Sequence, residues 1–176
     1  PGGSEGLRIP MHAGILGSNA LYARSAIGTS KEASLASVFD VAALILDRKG
    51  AMTTMKLQKL VYYAQAWSLV WDERPLFDDR IEAWANGPVV PALFNAHRGE
   101  YRIESEPRGD LSALDADAVE TIDAVLAHYG DKTAPWLSDL THREEPWLGA
   151  RAGIPEGARS NQEITHGAMA DYYGNL

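Results

Sequence analysis

The chain contains no cysteine. Disulfide staples, thiolate nucleophiles and cysteine-ligated zinc or iron–sulfur centres are therefore excluded. Long apolar runs are missing too: none approaches the roughly 18 residues of a transmembrane helix, and the first residues lack the basic start and apolar stretch of a signal peptide. These absences predict a soluble, cytoplasmic protein. Neither G-x-x-x-x-G-K nor G-x-G-x-x-G occurs, so the loops that cradle phosphates are absent, as are the G-x-S-x-G elbow and the H-E-x-x-H helix. No catalytic residue, metal ligand or cofactor is expected. Positive charge is scarce as well, with 16 Lys and Arg against 24 Asp and Glu and a formal charge of -8. Beyond residue 34 the balance is 13 basic against 22 acidic residues. That argues against extended phosphate-backbone binding, and for neutral or basic partners; no membrane partner is expected, and nucleic acid is demoted.

What is present fits one domain. A chain of 176 residues buries roughly two-thirds of the surface it exposes when unfolded. Residues 1–34 contain six glycines without sustained periodicity and start at Pro1, which reads as an N-terminal tail, flexible or appended. Residues 35–176 read as the folded domain. Apolar residues at three- and four-residue spacing predict helices from Leu35 to Gly50, from Thr53 or Thr54 to Asp72, around Ala118–Tyr129, from Thr133 to His142, and from Glu163 to Tyr173. Short helices are expected after Pro91 and around Trp147. LFDDRIEAW suggests a small hairpin turning at Asp78 and Asp79, and Tyr101–Ser105 a further strand. The expected class is mainly α, a compact helical domain with a small antiparallel β element.

On a helical wheel, KLQKLVYYAQAWSLVW places Leu57, Leu60, Val61, Ala64 and Trp71 on one broad core face. Lys56, Lys59, Tyr63, Trp67 and Val70 fall on a separate stripe. The adjacent carboxylates Asp78–Asp79 and Glu144–Glu145 read as turn and surface charge. His142 reads as a helix-end cap or a carboxylate partner. Five tryptophans, several beside turns, suit a protein-recognition surface.

The pattern K-L-Q-K-L-x-Y-Y-A-Q-x-W, then P-L-F, then I-x-A-W-x-x-G-P-V-V-P runs from Lys56 to Pro91, and T-H-x-E-x-P-W follows at Thr141 to Trp147. The sequence resembles the SocA-like, or Panacea, antitoxin domain in these elements. The resemblance implies a predominantly helical, non-enzymatic, cytoplasmic antitoxin that binds and neutralises a cognate protein toxin. Two alternatives accompany it: a proteolytic adaptor delivering the toxin to an AAA+ protease such as ClpXP, and a nucleic-acid-binding regulator. The expected toxin-binding residues are Lys56, Lys59, Tyr63, Trp67, Trp84, Asn86, His142 and Trp147.

Overall fold

The computed structural model describes residues 35–176; the tail expected over residues 1–34 lies outside the described residues. Among the described residues are seven α-helices and two antiparallel two-stranded sheets, so the chain is mainly α. Helix α1 spans Val38–Lys49 and opens on a capping box in which Ser37 and Asp40 satisfy each other's backbone N–H groups. The Asp40 carboxylate also accepts from Asp110 N at 2.7 Å, tying the start of α1 to a distant loop. Strand β1 (Met52–Thr53) pairs with β4 (Arg102–Ile103).

The central element is α2, Thr54–Trp71, capped by the Thr53 hydroxyl. Twelve consecutive residues, Leu57 to Ser68, are buried, so the helix is enclosed on every side. It packs against α1, α4 (Ala116–Tyr129), α5 (Ala134–Thr141), α7 (His166–Tyr173), α3 (Pro91–Ala96) and strand β3 (Gly87–Val89). Helix α6, Glu145–Ala150, packs on α7.

Two expectations are corrected. The hairpin does not turn at Asp78–Asp79; it forms between β2 (Glu82–Trp84) and β3, with Trp84 opposite Gly87 and Ala85–Asn86 as the turn. Gly87 makes this turn feasible because its φ of +106° is a region that side chains disfavour. Asp78 is exposed, whereas Asp79 reaches back to accept from Val38 N at the start of α1, 3.2 Å away. Helix α7 also begins later than expected, at His166 behind the Thr165 cap, and buries Met169 and Tyr173. Glu163, expected inside that helix, instead bridges Glu82 in extended conformation.

Candidate functional site

The buried Gln58, Lys59, Gln65 and Ser68 of α2 all bond to backbone groups in the segment 74–90 that follows it. The Gln58 amide accepts from Val90 N at 2.8 Å and donates to Val90 O at 3.3 Å. Lys59 Nζ donates to Pro88 O at 3.1 Å. One further face of the helix carries Gln65, which accepts from Leu76 N and Phe77 N and donates to Phe77 O. Ser68 donates to Arg74 O. Buried polar groups are costly unless hydrogen-bonded, so these bonds explain how such residues sit in an enclosed helix.

This arrangement holds the β2–β3 hairpin over a cavity of about 840 Å³. Thr54, Met55, Gln58 and Lys59 form one wall, and Trp84, Asn86 and Val89 of the hairpin another. Phe94, His97 and the Arg98–Glu100 turn close a third side, with Arg159–Asn161 opposite. Trp84 packs edge-to-face on Phe94 with ring centres 4.7 Å apart. Its indole donates to Glu82 at 2.8 Å, a carboxylate that Arg80 also engages. Two large apolar side chains of the lining, Met55 and Phe94, are exposed, and Tyr101, which follows the lining turn 98–100, is 80% exposed.

The structure brings part of the predicted set together here. Lys59, Trp84 and Asn86 line the cavity. Trp147 and His142 stand behind the hairpin: the Trp147 indole donates to Trp84 O at 2.9 Å, and His142, the C-cap of α5, stacks on Trp147 at 4.2 Å. His142 Nε2 is buried without a hydrogen-bond partner among the described residues. Lys56 is half-buried and does not line the cavity. Tyr63 and Trp67 are buried, which corrects the expectation that their stripe faces outward. Tyr63 stacks on Tyr129 with ring centres 4.2 Å apart, and the Trp67 indole donates to the Tyr129 hydroxyl.

The cause of that inward turn is Glu144, which is buried and not surface charge as its sequence context suggests. Its carboxylate accepts from the Tyr63 hydroxyl at 2.9 Å and the Tyr173 hydroxyl at 2.7 Å. Burial pushes this carboxyl up to about 7, against the pull of the two hydroxyls. Lys59 shows the opposite case: at 1% exposure, burial brings its ammonium down to about 7.

Sequence reasoning also missed Arg151. It is buried, stacks its guanidinium over Trp147 and donates to Ala83 O, Ala158 O and Pro155 O, fastening β2 to the later loop. Its signal was its place four residues after the T-H-x-E-x-P-W element that ends at Trp147. Among the described residues no group of three or more His, Asp or Glu is arranged to hold a metal ion.

The family described as Antitoxin SocA-like, Panacea domain, matches residues 57–148, just over half of the chain. The chain belongs to the SocA-like Panacea family. The match takes in α2, the hairpin, the cavity wall on α3 and the Glu144 element. A curated relative, "Antitoxin SocA" from Caulobacter vibrioides (strain NA1000 / CB15N), is 36% identical over 124 residues. That alignment covers 61% of this chain and 66% of the relative, just under two thirds of its length. No solved structure matches the chain. No helix among the described residues is long and apolar enough to cross a membrane. This Panacea chain therefore presents a cavity with exposed apolar residues in its lining, built on a helix buried from Leu57 to Ser68.

Proposed function

We propose that this chain is an antitoxin that binds and neutralises a cognate protein toxin, and that the hairpin, the cavity and its rim form the contact surface. The observation that carries the reading is that exposed Met55 and Phe94 line a cavity walled by Trp84, with the exposed Tyr101 next in the chain after the lining turn 98–100. Aromatic anchors around a pocket are what a tight interface requires, and blocking a toxin needs about 1,200–2,000 Å² of total buried surface. Trp84, Asn86 and Lys59 belong to this surface in the proposal. Trp147 and His142 hold the hairpin from behind, and Tyr63 and Trp67 fix α2. The reading involves no catalytic step: capture of the toxin suffices.

The test is co-expression of the chain with proteins encoded beside its gene. A neighbour that arrests growth alone, is rescued by this chain and co-purifies with it supports the reading. If no neighbour either poisons cells or binds, the reading fails.

A further inference from the structure

Apart from the buried Lys59, the lysines among the described residues all meet at one end of the molecule. Lys49 closes α1, Lys56 lies in the first turn of α2, and Lys132 follows α4 in the turn to α5. Asp131 stands between them. Lys49 Nζ donates to its carboxylate at 2.8 Å; that hydrogen bond, and then the charges of Lys49, Lys56 and Lys132, hold the carboxyl below its ordinary range. One carboxylate, its side chain 90% exposed, thus faces three ammonium groups. Beside them Trp136 is 41% exposed, with Lys132 Nζ 5.0 Å from its ring centre. Arg102 reaches the same end, donating to Ala51 O at 2.9 Å. None of Lys49, Lys56, Lys132 and Trp136 lines the hairpin cavity.

Helix capping explains part of this grouping. A cation at a helix C-terminus is favourable, which accounts for Lys49 on α1 and Lys132 beyond α4. Lys56 is the reverse case, a cation at the positive end of α2. It is half-buried, its ammonium is pushed down by burial first and by Lys49 second, and it makes no hydrogen bond or ion pair among the described residues. The acids nearest in sequence on α1 and α4, Asp47 and Asp123, are engaged by Arg48, and His128 on α4 is held down by burial first and by Lys132 second. Gly130 shows that the crowding is built in: a Cβ there would collide with Lys49 Cε, so the glycine leaves the room in which Lys49 lies across the end of α4. Departures from local preference of this kind are expected where a surface serves a partner.

We propose that this end of the molecule docks a short run of Asp and Glu with an apolar neighbour, supplied by a protein partner, the carboxylates meeting Lys49, Lys56 and Lys132 and the apolar side chain packing on Trp136. The net charge of -8 favours neutral or basic partners for the molecule as a whole, and this patch is the local exception. A nucleic-acid strand fits less well, because it carries its phosphates past the patch onto an acidic surface. The proposal is separate from the antitoxin reading, which concerns the hairpin.

The experiment titrates three probes into the full chain labelled with ¹⁵N-tryptophan: Ac-Asp-Glu-Leu-Asp-Glu-NH2, its neutral counterpart Ac-Asn-Gln-Leu-Asn-Gln-NH2, and penta-thymidylate. The acidic peptide should shift the Trp136 indole resonance, assigned with Trp136→Phe, and should bind more weakly as salt is raised. Lys49→Gln with Lys132→Gln should weaken it about tenfold, whereas Lys49→Arg with Lys132→Arg should bind it as the parent does. Lys56→Gln removes the locally disfavoured charge, so it should weaken the peptide while leaving the thermal midpoint no lower than that of the parent; a purely structural lysine would lower the midpoint instead. An equal response to the neutral peptide, tighter binding of penta-thymidylate than of the acidic peptide, or no response to any probe would overturn the proposal. So would acidic-peptide binding that survives both Lys56→Gln and the double glutamine variant. Failure of every neighbouring protein to bind would sink the antitoxin reading alone.

Discussion

Among the described residues, the Glu144 carboxylate lies against two tyrosine hydroxyls with no cation beside it, and the Lys59 ammonium lies against one carbonyl. Burial raises the first from 4.5 to about 7 and lowers the second from 10.5 to about 7. Between pH 4.5 and 7 the unfolded chain gives up the Glu144 proton that the folded chain retains, so stability falls as pH rises. From pH 10.5 down to 7 the unfolded chain binds a proton at Lys59 that the folded chain refuses, so stability falls as pH drops. Each limb approaches a slope of about 1.4 kcal/mol per pH unit. The two groups together should give the free chain a stability minimum near pH 7. Urea unfolding at pH 5, 7 and 9 measures it, with Glu144→Gln flattening the acidic limb and Lys59→Met the alkaline one; parallel curves for parent and variants would refute the assignment.

The helix α2 carries a second set of expectations. Gln65 alone satisfies Leu76 N, Phe77 N and Phe77 O, so Gln65→Leu strands three buried backbone groups. A loss of about 2–4 kcal/mol is expected from unsatisfied buried groups, read as a lower urea midpoint at unchanged slope. The same bonds explain what could be read in the sequence. The bounds of α2 and the burial of Leu57, Leu60, Val61 and Ala64 follow from local periodicity and from the Thr53 cap. The hairpin did not, because residues 76–77 look like a strand but spend their hydrogen bonds on a glutamine eleven and twelve positions earlier. Tyr63 and Trp67 looked like a surface stripe for a similar reason: the partner that draws Tyr63 inward, Glu144, lies 81 residues away. Lys59, Trp84 and Asn86, read as candidates from residue type and turn position, line the cavity, whereas no periodic signal marks Phe94 or Met55 as rim residues.

For the molecule as a whole, the rim is where stability and recognition separate. Phe94 is exposed at 40% and meets Trp84 in a T-shaped contact. Phe94→Ala should leave thermal unfolding nearly unchanged while weakening toxin capture by about 1–3 kcal/mol, roughly ten- to a hundredfold. Calorimetric titration alongside a melt checks both; a matched loss in the two would make Phe94 a core residue instead. The hairpin beneath that rim has a further property. Ala83 N donates to Gln162 O and Ile164 N to Ile81 O, so a later stretch of chain lies along β2. On the other margin, Lys59 takes Pro88 O, proline has no N–H to offer, and Gln58 occupies both groups of Val90. Neither margin presents the free row of backbone donors and acceptors on which an incoming strand could pair. A partner meeting this hairpin thus finds no ladder to extend, and must be recognised through the shape and charge of its side chains.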